Sequence, residues 1–392
     1  MTAHPLALSV DQLLARSREI AGVDSVDDAV VEPLTVLHRA LAEESTIDAE
    51  GARAYQAKFL RLLVNRLRMQ RDFRRHPEIA EQPLQGPLVI MGVARSGTTK
   101  LQKVLAASGD FNFLTFWQNF HWASVTGQPH EDVSERIADA DAFCRWYDER
   151  SPETKLGHHF EALEPEEEGP LSEGCFVAPS FIGYAEMPSY ARWLSGQSRR
   201  IFFEFLRDVL QYQQWQGLAD PARPWLLKSP NYNGCEPLIR EVFPAARFVV
   251  ANRSPLETMA SMCKLVRCFR QAYGAPDTDH DLIVEGNYWS MAMHLANRRE
   301  HPEIPILDLC FEDIVGDLPW AIEQVYRYAG LPLCEGAKAR MLEWNAANAM
   351  HKQGAFNYSL ADAGLEEAVI RERMADYFDH LAMLAERRSE VA

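Results

Sequence analysis

The chain has 392 residues, 47% of them hydrophobic and 24% charged, which excludes a collagen-like, low-complexity or wholly disordered protein. Its 40 Lys and Arg against 56 Asp and Glu leave a net charge of −16. A body that acidic repels nucleic-acid backbones and anionic membrane surfaces, so any anionic ligand needs positive charge gathered locally.

Residues 1–82 read as a helical N-terminal extension. Val10-Asp11 marks the start of a first helix, and Ala52 to Arg75 carries Phe59, Leu60, Leu63, Val64 and Leu67 at helical spacing. Arg61, Arg66, Arg68, Arg71, Arg74 and Arg75 lie on the same segment, as either a solvated face or a positive flank for an anionic ligand. From Pro87 the pattern alternates between strand and helix. PLVIMGV is a buried strand, followed by a Gly/Ser/Thr loop and a helix from Thr99 to Ala107 that stops at Ser108-Gly109. WLLKS (225–229), ARFVVANR (246–253) and IPILDL (304–309) read as three more strands. The intervening helices are Arg199 to Gln214, Gly234 to Val242, Pro255 to Phe269, Glu285 to Arg299 and Leu318 to Ala329. Strands alternating with helices imply a parallel sheet covered on both faces. Thus 83–392 is expected to be one α/β domain, with 112–195 as a large irregular insert on the substrate side.

The loop after the first strand runs Gly92-Val93-Ala94-Arg95-Ser96-Gly97-Thr98-Thr99. A strand turning through glycines into a helix start presents unpaired N–H groups to an anion. The spacing from Gly92 to Gly97 matches an NTPase loop, but Thr98 stands where that loop requires Lys, and the cation has moved to Arg95. The loop therefore suits a phosphate-like group without demanding a metal-bound triphosphate. A second anion grip is expected where ARFVVANR ends. Arg253 is followed by Ser254-Pro255-Leu256-Glu257, a capping-box start, and Ser261 falls about two turns later on the same face. Two such sites on adjacent strand ends describe a ligand phosphorylated in two places.

On these residues the chain resembles the sulfotransferases that use 3′-phosphoadenosine 5′-phosphosulfate (PAPS), in particular the bacterial branch with a P-R-S/T-G-T-T loop. RRHPEI (74–79), PEEE (165–168), WLLKSP (225–230), FPAARFVVANRSP (243–255), LCFEDIVGDLPWAIEQVYRYAGLP (309–332) and FNYSLADAGL (356–365) extend the likeness in the family's order. The resemblance implies a P-loop-like three-layer α/β fold with a central parallel sheet. It also implies transfer of a sulfuryl group from PAPS to a hydroxyl or amine of a small or lipid-like acceptor, by in-line displacement and without a metal. In that family the first loop, here Arg95, Ser96, Gly97, Thr98 and Thr99, holds the 5′-phosphosulfate. An Arg and Ser spaced like Arg253 and Ser261 hold the 3′-phosphate. Lys228 takes the role of the cation at the sulfuryl group, although a structural salt bridge would leave the same trace. A basic-plus-Gly segment, here Lys352 and Gly354, would close over the 3′-phosphate unless it is merely a solvated loop.

The sequence departs from the family at Asn231-Tyr232, where relatives often carry His. It departs again at Trp117-Gln118, where they commonly carry Trp-Glu. A neutral amide cannot accept a proton, so Gln118 is left to orient the acceptor. The base is then sought among His121, the pair His158-His159 and the carboxylates Glu166, Glu167 and Glu168. The family's His-then-PEE arrangement favours His158 or His159 together with Glu166 or Glu167. PEEE also reads as a plain charge cluster, and the aromatic segments 111–122 and 176–194 as either pocket lining or core.

Seven scattered cysteines without a C-x-x-C pair argue against a zinc or disulfide framework and for a reducing compartment. With no signal-like N-terminus and no long apolar run, the expectation is a cytoplasmic protein compatible with a homodimer. Two alternatives stand beside sulfuryl transfer. One is a nucleotide-binding protein that has lost catalysis, motivated by Gln118 and Tyr232. The other is a kinase-like phosphoryl transferase, which would need Lys at position 98 and a Walker-B acid.

Overall fold

A computed structural model describes residues 6–25, 27–275, 280–348 and 354–391. Among them four strands form one sheet: β1 Leu88–Gly92, β2 Leu226–Lys228, β3 Arg247–Asn252 and β4 Ile306–Cys310. The order is β2-β1-β3-β4 and every pairing is parallel, with Ile90 beside Lys228 and Gly92 beside Ala251. Because all four strands run the same way, the loops after Gly92, Lys228, Asn252 and Cys310 open at one edge. The chain order reverses at β1, and ligands of open α/β sheets bind outside the carboxyl ends at such a point.

The three layers follow from the two-residue period of the strands. Val89, Met91, Leu227, Phe248 and Val250 enter one core, while Leu88, Ile90, Leu226, Val249 and Ala251 enter another. The first core is closed by the helices Ala49–Arg75, Arg200–Trp215 and Glu236–Val242 through Phe59, Leu62, Leu206, Val209 and Ile239. The second is closed by Thr98–Ala106, Leu318–Ala329 and Glu335–Ala347 through Leu101, Leu105, Ile322 and Met341. Leu13, Leu34 and Leu37 of the N-terminal helices join the first core directly.

Three local expectations need correction. Ser9, not Val10-Asp11, caps the first helix, through a reciprocal bond with Gln12. Ser254 makes no side-chain cap bond, because Glu257 is drawn instead to the Arg253 guanidinium at 2.6 Å. The segment 112–195 is not irregular: it holds the 17-residue helix Ser134–Arg150 and five shorter helical pieces. Half of its Phe, Tyr and Trp side chains are buried core, with Trp122, Phe176, Phe181 and Tyr190 fully enclosed. No helix of the described residues is long and apolar enough to cross a membrane.

Candidate active site at the carboxyl edge of the sheet

The loop leaving β1 owes its shape to two glycines. Gly92 has φ +140°, and a Cβ there would stand 2.2 Å from the Ala251 carbonyl oxygen of the adjacent strand. Gly97 has φ +93° and caps the helix Thr98–Ala106 without a side-chain bond. The first amides of that helix therefore point out of its end with no intrahelical acceptor. Between the glycines Arg95 holds φ +74°, which costs a non-glycine residue on the order of 1 kcal/mol. Ser96 is fully buried, and its Oγ has no hydrogen-bond partner among the described residues.

Lys228 ends β2 beside Ile90, only 1% exposed. Its ammonium donates to Thr99 Oγ1 at 3.3 Å and to Glu167 Oε2 at 2.5 Å, so it bridges the loop helix and the PEEE segment. The three glutamates of that segment have separate partners, which overturns the plain charge-cluster reading. Glu166 accepts from His158 Nε2 at 3.0 and 3.1 Å. Its burial opposes charge, but the His158 imidazole and Lys228 outweigh this and hold its carboxyl well below the usual range. Glu168 is fully buried, and its Oε2 accepts the Lys228 N–H at 2.8 Å and the Tyr232 hydroxyl at 3.1 Å. Burial pushes this carboxyl up to about 8, against those two bonds and the nearby ammonium.

Arg95 lies with the residues expected to hold a second anion. Its Nε donates to Ser261 Oγ at 3.1 Å and its Nη1 to the Gly157 carbonyl at 2.6 Å. Arg253 Nη1 in turn donates to the Arg95 carbonyl at 2.9 Å, with its guanidinium 3.9 Å from the Phe311 ring centre. Arg95, Arg253 and Ser261 are thus one cluster, and Lys228 with Thr99 is a second. Gly354 and the buried Phe356 fold back near the first cluster: a Cβ on Gly157, whose carbonyl Arg95 holds, would stand 3.0 Å from the Phe356 ring. Lys352 lies outside the described residues.

Other candidates fall elsewhere. His159 turns away from Glu166 to Glu161, 2.9 Å, and Asp148, 3.7 Å. His121 pairs with Asp139 at 2.6 Å, and burial lowers its pKa against that bond. Gln118 is engaged within the fold: its Oε1 accepts from Thr115 N and Oγ1 in a capping box, and its amide donates to Gln213. Of the arginines of 61–75, Arg61 is held by the Phe120 carbonyl, Arg66 by Asp27 and Arg71 by Asp72, while Arg74 and Arg75 are exposed. Two participants, Asn233 and Lys100, were not singled out from the sequence, and Tyr232 was noted there only as a departure from the family. Asn233 donates to the Gly92 carbonyl at 2.8 Å, and Tyr232 is held by Glu168. Lys100 sits in the first turn of the loop helix, its pKa lowered by burial. The signal for Asn233 was a run of polar residues directly after a strand's terminal lysine.

A parallel sheet reversing at β1, with a glycine-bounded loop and two cation clusters at its carboxyl edge, is the architecture of the P-loop-like α/β proteins. The profile of the sulfotransferase family matches residues 87–335. The structure resembles the sulfotransferase STF1 of Mycobacterium tuberculosis H37Rv, with TM-score 0.77, 24% identity and coverage of 94% of this chain and 99% of that one. It also resembles STF9 of Mycobacterium avium, at 0.79, 23% identity and 97% of both chains. A curated relative, omega-hydroxy-beta-dihydromenaquinone-9 sulfotransferase Stf3 of Mycobacterium bovis, is 23% identical over 158 residues. That match spans 39% of this chain and only 40% of the relative. The chain belongs to the sulfotransferase family.

Proposed function

We propose that the donor is PAPS, and that the acceptor is a hydroxyl or amine of a small or lipid-like molecule. The observation that carries this reading is Lys228, a buried ammonium shared between the loop-helix hydroxyl of Thr99 and the carboxylate of Glu167. The residues fit the donor. The orphaned Ser96 Oγ, the Gly97 cap and the amides of Thr98 and Thr99 suit its phosphosulfate end. Arg253, Ser261 and the Arg95 side chain suit its 3′-phosphate, with Gly354 and Lys352 in the segment expected to cover it. When bound, PAPS supplies an activated sulfuryl group on a phosphate leaving group.

The chain's own residues then do three things. Lys228 sets a fixed positive charge where negative charge grows during a loose in-line transfer. Thr99 holds that ammonium toward the loop. Glu167 takes the acceptor's proton, since the acceptor oxygen must lie beside Lys228 and Glu167 is the carboxylate that touches it. His158 is the second reading for the base, because Glu166 accepts at Nε2 through both oxygens and leaves Nδ1 to receive a proton. The lipid-like acceptor is supported by the menaquinone-derived substrate in the relative's name. The inactive-binder reading loses one motive, since Gln118 is a capping residue.

The test combines calorimetry with transfer of labelled sulfate from PAPS to an acceptor panel. Adenosine 3′,5′-bisphosphate should bind and ATP should not, and the reverse sinks the donor assignment. Lys228→Ala should lower kcat by about 10²- to 10³-fold. Glu167→Gln should abolish the rising limb of the pH profile while His158→Asn keeps it. The opposite pattern assigns the base to His158.

A further inference from the structure

A further apolar cluster lies outside the two cores that cover the sheet, and it joins the C-terminus to the anion-binding edge. Ile370, Met374 and Tyr377 enter it from the helices Glu367–Arg373 and Ala375–Val391 and the residue between them. Val93 enters it from the loop, two residues before Arg95. Met259 and Met262 enter it from the helix Pro255–Ala272, on either side of Ser261. The C-terminal helices therefore support both the loop that carries Arg95 and the helix that carries Ser261.

Tyr377 reaches further than its apolar neighbours. It is 1% exposed, and its hydroxyl donates to Asn252 Oδ1 at 3.2 Å. The same oxygen takes a hydrogen bond from the Arg253 backbone N–H, which opposes the rise that burial imposes on the phenol. Asn252 is equally buried, and its Nδ2 donates to Asp308 Oδ1 at 3.1 Å. Asp308 is gripped in turn by the Arg298 guanidinium at 2.7 and 3.1 Å. The pairing of β3 with β4 ends at Asn252, opposite Cys310, so Arg253 is the first residue beyond the ladder. One phenol thus holds the amide side chain at the strand's last position and the backbone of the arginine that follows.

We propose that Tyr377 is a positioning residue for the donor: through Asn252 and the Arg253 backbone it aims the Arg253 guanidinium at the 3′-phosphate. This rests on the assignment of Arg253 to that phosphate in the proposed function. Tyr377→Phe deletes the hydroxyl alone and leaves a buried amide oxygen without its donor. The probes are adenosine 3′,5′-bisphosphate and adenosine 5′-phosphosulfate, which lacks the 3′-phosphate, each titrated into the full chain and its variants. In Tyr377→Phe the bisphosphate should bind about fivefold or more weakly, while the 5′-phosphosulfate changes less than about twofold. KM for PAPS should rise by the same factor as the bisphosphate loss, with kcat at saturating donor little changed. On an Arg253→Ala background the substitution should add no further loss, because both changes act on one contact. Equal losses for the two ligands would make Tyr377 a support of the fold alone and overturn the proposal. An unchanged bisphosphate affinity, or losses that add to those of Arg253→Ala, would overturn it as well. Failure of the parent chain to bind the bisphosphate, or indifference of that binding to Arg253→Ala, would instead remove the reading on which the proposal rests.

Discussion

Glu168 has no exposed atom, yet it holds two donors on one oxygen, the Lys228 amide and the Tyr232 hydroxyl. With its carboxyl raised to about 8 by burial, the folded chain retains a proton there that the unfolded chain gives up near the ordinary carboxylate value. The folded state then binds more protons than the unfolded one between about pH 4.5 and 8, so this group's contribution to stability falls as pH rises through that window and is flat above it. Glu168→Gln keeps an acceptor without a titrating proton. Urea unfolding should therefore show a shallower decline from pH 5.5 to 8 in the variant, by roughly the slope of one proton. An unchanged slope would place that titration elsewhere. The adjacent Glu166 has the reverse sign, since its carboxyl is depressed, and what it contributes is lost only on acidification.

Among the elements, the helix Ala49–Arg75 is tied to the insert by a buried ion pair, Lys58 to Glu173 at 3.0 Å, with the ammonium 3.9 Å from the Tyr184 ring centre. Both side chains are about 5% exposed or less. Removing one partner strands the other charge, so Lys58→Ala should cost about 3 kcal/mol or more in denaturant unfolding. The paired replacement Lys58→Met with Glu173→Leu should recover most of it; if it does not, packing rather than charge sets the cost. The same helix marks the limit of sequence reading. Its apolar spacing located it within a few residues, and the continuous apolar runs located all four strands, because burial imposes those periods directly. The roles of Arg61 and Arg66 were not legible because their partners, the Phe120 carbonyl and Asp27, are brought to them only by the tertiary fold. Position 118 failed for a related reason. A Gln three residues after Thr115 is a capping-box pattern, and a family comparison drew attention to the missing Glu instead. Glycine spacing and two remote cations made the loop and the cations at the sheet edge legible. The division of labour within Glu166, Glu167 and Glu168 was not, since three identical residues differ only in what the sheet edge sets beside each.

For the molecule as a whole, the N-terminal helices and the sheet share one core. Leu13, Leu34, Phe59 and Leu62 are buried in the same cluster as Val89, Met91 and Phe248. Deleting residues 1–82 would expose one face of the sheet, so the remainder should lose its cooperative thermal transition rather than persist as an active α/β domain. A truncated chain that melts cooperatively would show that the extension is dispensable. The net charge of −16 is likewise unevenly spent, with Arg95, Lys228 and Arg253 at one edge of the sheet.

Arg95 touches both halves of that edge, Ser261 on one side and, on the other, the Gly157 carbonyl that directly precedes His158. If the proposed 3′-phosphate draws that guanidinium away from Gly157, it also shifts the segment of the insert that carries the imidazole. Thermodynamic linkage makes such an effect mutual. Whatever factor the bisphosphate exerts on acceptor affinity, the acceptor must return on bisphosphate affinity, and replacing Arg95 with a shorter side chain should bring that reciprocal factor toward one.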